Sequence, residues 1–280
     1  VAAHPPLNRL VLTATSVADD LGYVALADLS RALRSDDEAS YRVIGGHMVT
    51  ALAARWQLGP QLYRETGDTD IGVPPIVVRD HHLLARLKDL GYEQIEGNRF
   101  ARTIADIPVR VARELDVPRQ AIIDVLIPAY SSHARQNRRI SNDLVTTEVP
   151  GLATALRHAP VTLSLELHRL NGDTLTAELC FSDEAAALVL KGFATQVRSK
   201  PTDVVDVWRC LEVAFAARVR PGDFADGPAA EAAAHVRELF ARRDGSGMAT
   251  LIDEQRLSAG AADQRFTRLR ALIAQVISTG

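Results

Sequence analysis

Residues 161 to 170, VTLSLELHRL, and 174 to 182, TLTAELCFS, alternate apolar and polar side chains on either side of the turn NGD. A period of two sustained on both arms predicts an antiparallel hairpin with one face against a core. From Ala185 the period becomes helical, through ALVLKGFATQVR, TDVVDVWRCLEVAFAARV, AAEAAAHVRELFARR and DQRFTRLRALIAQVI. Upstream of the hairpin the two patterns interleave. Helical spacing covers Ser16 to Leu33, as one or two short helices, HMVTALAARW and RDHHLLARLKDLGY, with VPP as a break before the last. Strand signals fall at YRVIGG, at the residues after Gly67, at RFARTI (99 to 104) and at AIIDVLI (121 to 127). The expected class is α+β: a mixed β-sheet core flanked by helices, followed by a C-terminal helical bundle. The expected division is residues 1–184 for the sheet unit with an N-terminal helical extension, and 185–280 for the helical domain.

Composition narrows the partners. With 47% hydrophobic residues in 280 the chain can bury a substantial core, and 32 basic against 35 acidic residues produce no global field for nucleic acid or membrane. Any basic surface must be local. Cys180 and Cys210 are too few for a disulfide framework and lack metal-ligand spacing. No apolar run approaches the roughly 20 residues that span a bilayer. VAAHPPLNRL lacks the basic start and apolar core of a signal peptide, so a cytoplasmic location without a membrane partner is expected.

The stretch RETGDTDIGV, from Arg64 to Val73, carries the chemistry. In a strand Asp68 and Asp70 point to one face, and two carboxylates that close disfavour joint ionisation unless a cation lies between them. Asp124, inside the apolar run IIDVLI, is a third carboxylate on an expected neighbouring strand, where a lone buried charge is costly. Oxygen-only ligands of this kind suit Mg²⁺ shared with substrate phosphates. Gly45 and Gly46 end one strand and open a helix, which lets backbone N–H groups approach a phosphate. Together these features describe two-metal phosphoryl transfer. The same residues also suit a D-x-D at a solvated strand end, and Asp124 as the buried partner of an arginine.

The run IGGHMVTAL followed by Arg64, Thr66, Asp68 and Asp70 in the pattern R-x-T-x-D-x-D resembles the nucleotidyltransferases of the DNA polymerase β superfamily. More narrowly, it is similar to the AbiE and MenT branch of toxins from bacterial toxin–antitoxin pairs. The block LVLKGFATQVRSKPTDVVDV, with Lys191, Arg198, Lys200, Asp203 and Asp206, carries the second half of the resemblance. The likeness spans residues 41 to 210. Where the superfamily usually has Gly-Ser at the glycine turn, this chain has Gly46 and His47.

The resemblance implies a nucleotidyltransferase core in which Asp68, Asp70 and Asp124 hold two Mg²⁺ ions. Gly45, Gly46, His47, Arg64, Thr66, Lys191 and Arg198 would bind the NTP. Lys191 would neutralise phosphate charge, and Asp206 is preferred over Asp203 for a functional role. The implied acceptor is the tRNA 3′ end, the outcome a block on translation, and the partner a cognate antitoxin protein. Bland readings exist here too: a helical lysine is usually solvated, and aspartates cap helix starts. Alternatives are a small-molecule nucleotidyltransferase of the aminoglycoside-modifying type and a catalytically inactive nucleotide-binding module. For RNA, the candidate contacts are Arg135, Arg138 and Arg139 in SSHARQNRRISND, with the C-terminal runs RVR, ARR and RFTRLR.

Overall fold

A computed structural model of the chain describes residues 5–33, 41–79, 82–106, 119–130, 135–140, 144–197 and 200–278. The strands are β1 (Arg9–Thr13), β2 (Arg42–Ile44), β3 (Asp68–Gly72), β4 (Glu93–Glu96), β5 (Arg99–Thr103), β6 (Gln120–Pro128), β7 (Arg138–Arg139), β8 (Val145–Thr146), β9 (Glu148–Val149), β10 (Val161–His168) and β11 (Thr174–Phe181). The helices are α1 (Val17–Ala32), α2 (Gly45–Arg55), α3 (Pro75–Arg79), α4 (His82–Asp89), α5 (Leu152–Arg157), α6 (Glu184–Val197), α7 (Pro201–Ala216), α8 (Gly227–Leu239), α9 (Ser246–Glu254) and α10 (Ala259–Val276).

The main sheet runs β1-β10-β11-β2-β3-β6-β5-β4, with β9 joining β6 at Ile127 and Pro128 beyond the end of β5. Its pairings are mixed: β3 lies parallel to β6, while β2 with β3 and β5 with β6 are antiparallel. β6 is central, which explains its nearly continuous apolar run: Ile123, Val125 and Ile127 are fully buried. The expected hairpin is present as β10 and β11, paired from Val161–Phe181 to His168–Thr174. The edge strand β1, RLVLT, had not been expected; its alternating burial matches a strand paired in parallel with β10.

α1 packs across β11, β6 and β3. It is one continuous helix, started by Ser16, whose side chain accepts from the Asp19 N–H at 3.2 Å. So much of α1 is covered that its acids need partners. Asp20 takes Arg169 at 2.8 Å, and Asp28 takes Arg102, Arg31 and the Tyr92 hydroxyl. The VPP stretch does not end structure, because Pro75 opens the short α3; a proline at the first helical position loses no hydrogen bond.

The C-terminal helices assemble around α7, which packs on α2, α6, α9 and α10 and buries Val207, Trp208, Leu211 and Ala214. Arg265 of α10 stacks 3.6 Å from the Trp208 ring centre, and Arg268 ion-pairs with Glu212, so part of the basic C-terminal run serves packing. The fold class is therefore a mixed sheet flanked by helices with a helical C-terminal part. No helix among the described residues is long and apolar enough to cross a membrane.

Candidate active site

Strand alternation sorts β3 into two faces. Thr69 and Ile71 are buried toward α1, where the Thr69 hydroxyl donates to the Gly22 carbonyl at 3.5 Å; Asp68 and Asp70 face the other way, partly exposed. The parallel register sets Asp70 directly opposite Asp124, and the antiparallel register sets Arg99 opposite Asp124 from the other side. Three neighbouring strands thus deliver Asp68, Asp70, Asp124 and Arg99 to one patch.

Arg99 had not been singled out. Its Nε donates to Asp124 Oδ1 at 3.0 Å, and its Nη2 donates to Asp124 Oδ2 at 2.8 Å and to Asp68 Oδ2 at 2.9 Å. The hydrogen bonds to Asp124 raise the guanidinium's pKa above its ordinary value. The arginine partner weighed for Asp124 is thus present. Among the described residues no three His, Cys, Asp or Glu side chains form a ready-made metal cluster.

Gly45 turns the chain from β2 into α2 with φ +73°, and a side chain there would overlap the Asp70 carboxylate. At Gly46 an added Cβ would lie 2.5 Å from Thr66 Oγ1 and 2.9 Å from Arg64 Nη2. Two of the residues expected to bind nucleotide, Arg64 and Thr66, therefore rest on the glycine turn. His47 goes elsewhere. The residue is 5% exposed, its ring lies against Gly22 and 6.4 Å from the Tyr23 ring, and its Nε2 has no hydrogen-bond partner among the described residues. Burial lowers its pKa from 6.5 to about 4.

A second polar cluster centres on Asp206. Its carboxylate meets Lys191 Nζ at 2.7 Å, Arg209 Nη1 at 2.7 Å and the Arg64 fork at 3.3 and 3.2 Å. Burial alone would raise the Asp206 pKa, but Lys191, Arg209 and Arg64 outweigh it and hold the carboxyl well below the ordinary range. Asp203 is farther from Lys191, at 3.6 Å. Arg209 also donates to Thr50 Oγ1 on α2 at 2.7 Å and to the Leu62 carbonyl. It was absent from the expected set, although Asp206 and Arg209 stand three apart on one helix, where side chains meet.

One cavity of about 310 Å³ joins the two clusters: Gly45, Asp70, Asp124, Arg99, Lys191 and Glu148 are among its walls. Counting Glu96, its charged walls are four acidic and two basic. Of the basic loop, Arg138 pairs with Glu148, and the Arg135 N–H donates to the same carboxylate at 3.2 Å. The side chains of Arg135 and Arg139 are exposed. Arg198 lies outside the described residues.

No protein-family model matches this chain, and neither does any curated protein. A similar solved structure is the crystal structure of an antigenic nucleotidyltransferase-like protein from Paracoccidioides brasiliensis. It is 14% identical, covers 93% of this chain and 94% of that one, and has a TM-score of 0.43. So distant a likeness carries no argument, and the functional reading rests on the residues of the site.

Proposed function

We propose that the chain is a metal-dependent nucleotidyltransferase. The observation that carries the reading is the meeting of Asp70 and Asp124, side by side on parallel strands, with Lys191 in the wall of the same cavity. The donor chemistry fits Mg²⁺: two of the three carboxylates on this face share a single guanidinium, and the cavity walls carry an excess of acids. Asp68, Asp70 and Asp124 are the residues that would hold the ions, which when bound would neutralise phosphate charge and acidify the attacking hydroxyl.

The chain's own residues divide the remaining work. The Gly45–Gly46 turn opens α2 with no side-chain cap from Ile44, a place for the triphosphate. Lys191, held by Asp206, offers its charge to the phosphates as the acceptor hydroxyl, its proton drawn off with the help of Asp124, bonds through oxygen to the α-phosphorus and pyrophosphate leaves. Arg64 and Thr66 support the turn from the side. The tRNA 3′ end as acceptor, a translation block and a cognate antitoxin are proposed on the AbiE and MenT resemblance; for an RNA acceptor the exposed Arg135 and Arg139 add support. The Arg138–Glu148 pair favours a second reading, a small hydroxylated acceptor, because it neutralises part of the basic loop.

The test is incubation with each labelled NTP, Mg²⁺ and, in parallel, total RNA or an aminoglycoside, beside Asp70→Ala. Label entering RNA with the native protein alone supports the proposal. Label entering only an aminoglycoside moves the assignment to the second reading. No transfer to either acceptor overturns both.

A further inference from the structure

We propose that Arg99 is the built-in counter-cation of the carboxylate face, competing with a divalent ion for the oxygens of Asp68 and Asp124 and leaving them when metal and nucleotide bind. This rests on the metal reading above and adds to it a residue from the β4–β5 hairpin that the two sequence motifs do not contain.

Three observations carry it. First, both Asp124 oxygens are taken by Arg99, at 3.0 and 2.8 Å, and the Nη2 that holds one of them also holds Asp68 at 2.9 Å. An ion bridging these carboxylates would have to replace a fork of hydrogen bonds and sit against a like charge. Second, the Arg99 side chain is 32% exposed, so it has room to turn outward. Third, another anion waits beside it. Glu96 is the Cα partner of Arg99 across β4 and β5, and it lines the same cavity. A bound triphosphate would offer the guanidinium a further partner there.

The test is Mn²⁺ binding to the whole 280-residue chain, followed by the loss of the free-ion paramagnetic resonance signal, without nucleotide and at low ionic strength. Arg99→Gln should bind Mn²⁺ at least about tenfold more tightly than the native protein, since the competing charge is gone. Arg99→Lys, which keeps the charge and loses the fork, should fall between them. Mg²⁺ should also raise the unfolding temperature of Arg99→Gln more than that of the native protein. Equal or weaker binding by a folded Arg99→Gln overturns the proposal while leaving the metal reading intact. Should Arg99→Gln fail to fold, Arg99→Lys decides on the same criterion. If neither the native protein nor the variants bind Mn²⁺ with or without NTP, the metal reading falls and the role of Arg99 with it.

Discussion

Lys191 and Asp206 lie 2.7 Å apart with 4% and 1% of their side chains exposed, and that one carboxylate also receives Arg209 and Arg64. Removing a single anion from a buried cluster strands its cations. Asp206→Asn should cost about 3–5 kcal/mol in urea unfolding, with Arg64 contributing least because it is the most exposed partner. The cluster also sets an acid limit. The folded carboxyl titrates below its unfolded value of 3.8, so its stabilisation is complete above that pH and is lost as the pH falls toward the folded value. Asp206→Asn should remove this part of the acid limb.

Gly45 and Gly172 both have positive φ, +73° and +91°, but only Gly45 has a neighbour where a side chain would go. Gly172→Ala should show backbone strain alone, about 1 kcal/mol. Gly45→Ala should cost at least about 1 kcal/mol more, because Asp70 must move, and, if the turn holds a triphosphate as proposed, weaken NTP binding. Equal losses in paired thermal unfolding experiments would remove the steric role of the glycine turn.

His47 is buried in its neutral form, with its pKa lowered from 6.5 to about 4. Between those values the unfolded chain binds the extra proton and the folded one does not, so stability should decline as the pH drops from 6.5 toward 4. The slope assignable to this ring is at most about 1.4 kcal/mol per pH unit. His47→Gln should flatten the stability profile in that window, measured by urea unfolding at fixed ionic strength. A profile unchanged by the substitution would place the titration elsewhere.

If RNA is the acceptor, exposed and paired arginines of the basic loop should behave differently. Each phosphate contact adds roughly 0.7–0.9 to the slope of log affinity against log salt. Reversing the charge of Arg135 and Arg139 together should therefore lower the slope by one to two such contacts. Arg138→Glu should change it little and instead destabilise the loop, since it sets two acids together at Glu148. Filter binding across a salt series separates the outcomes, and a slope indifferent to the double reversal would remove this loop from the interface.

The elements most legible in the sequence were those whose burial is periodic over many residues. The β10–β11 hairpin, the β6 run and the helices α1, α6 and α7 all announce themselves in this way. β1 is only five residues long and gains its meaning from β10, some 150 residues later, so no local pattern distinguishes it. The same limit applied in the site. Asp68 and Asp70 share a face by strand geometry, but the position of Arg99 depends on the register of β5 against β6, which a linear reading does not contain. His47 was placed near phosphate by its position in the glycine turn, whereas the start of α2 directs its ring into the contact with α1.

The cavity draws its acids from strands that precede residue 184 and its ammonium from α6, which starts there. Neither portion of the polypeptide holds the whole set. Cut between β11 and α6, the chain would yield one fragment with the cavity's carboxylates but not its lysine, and another with the reverse. Chemistry restored on mixing them would report their docking directly. In the intact chain the same division makes the cavity's set of charges depend on how well the helical part is seated on the sheet.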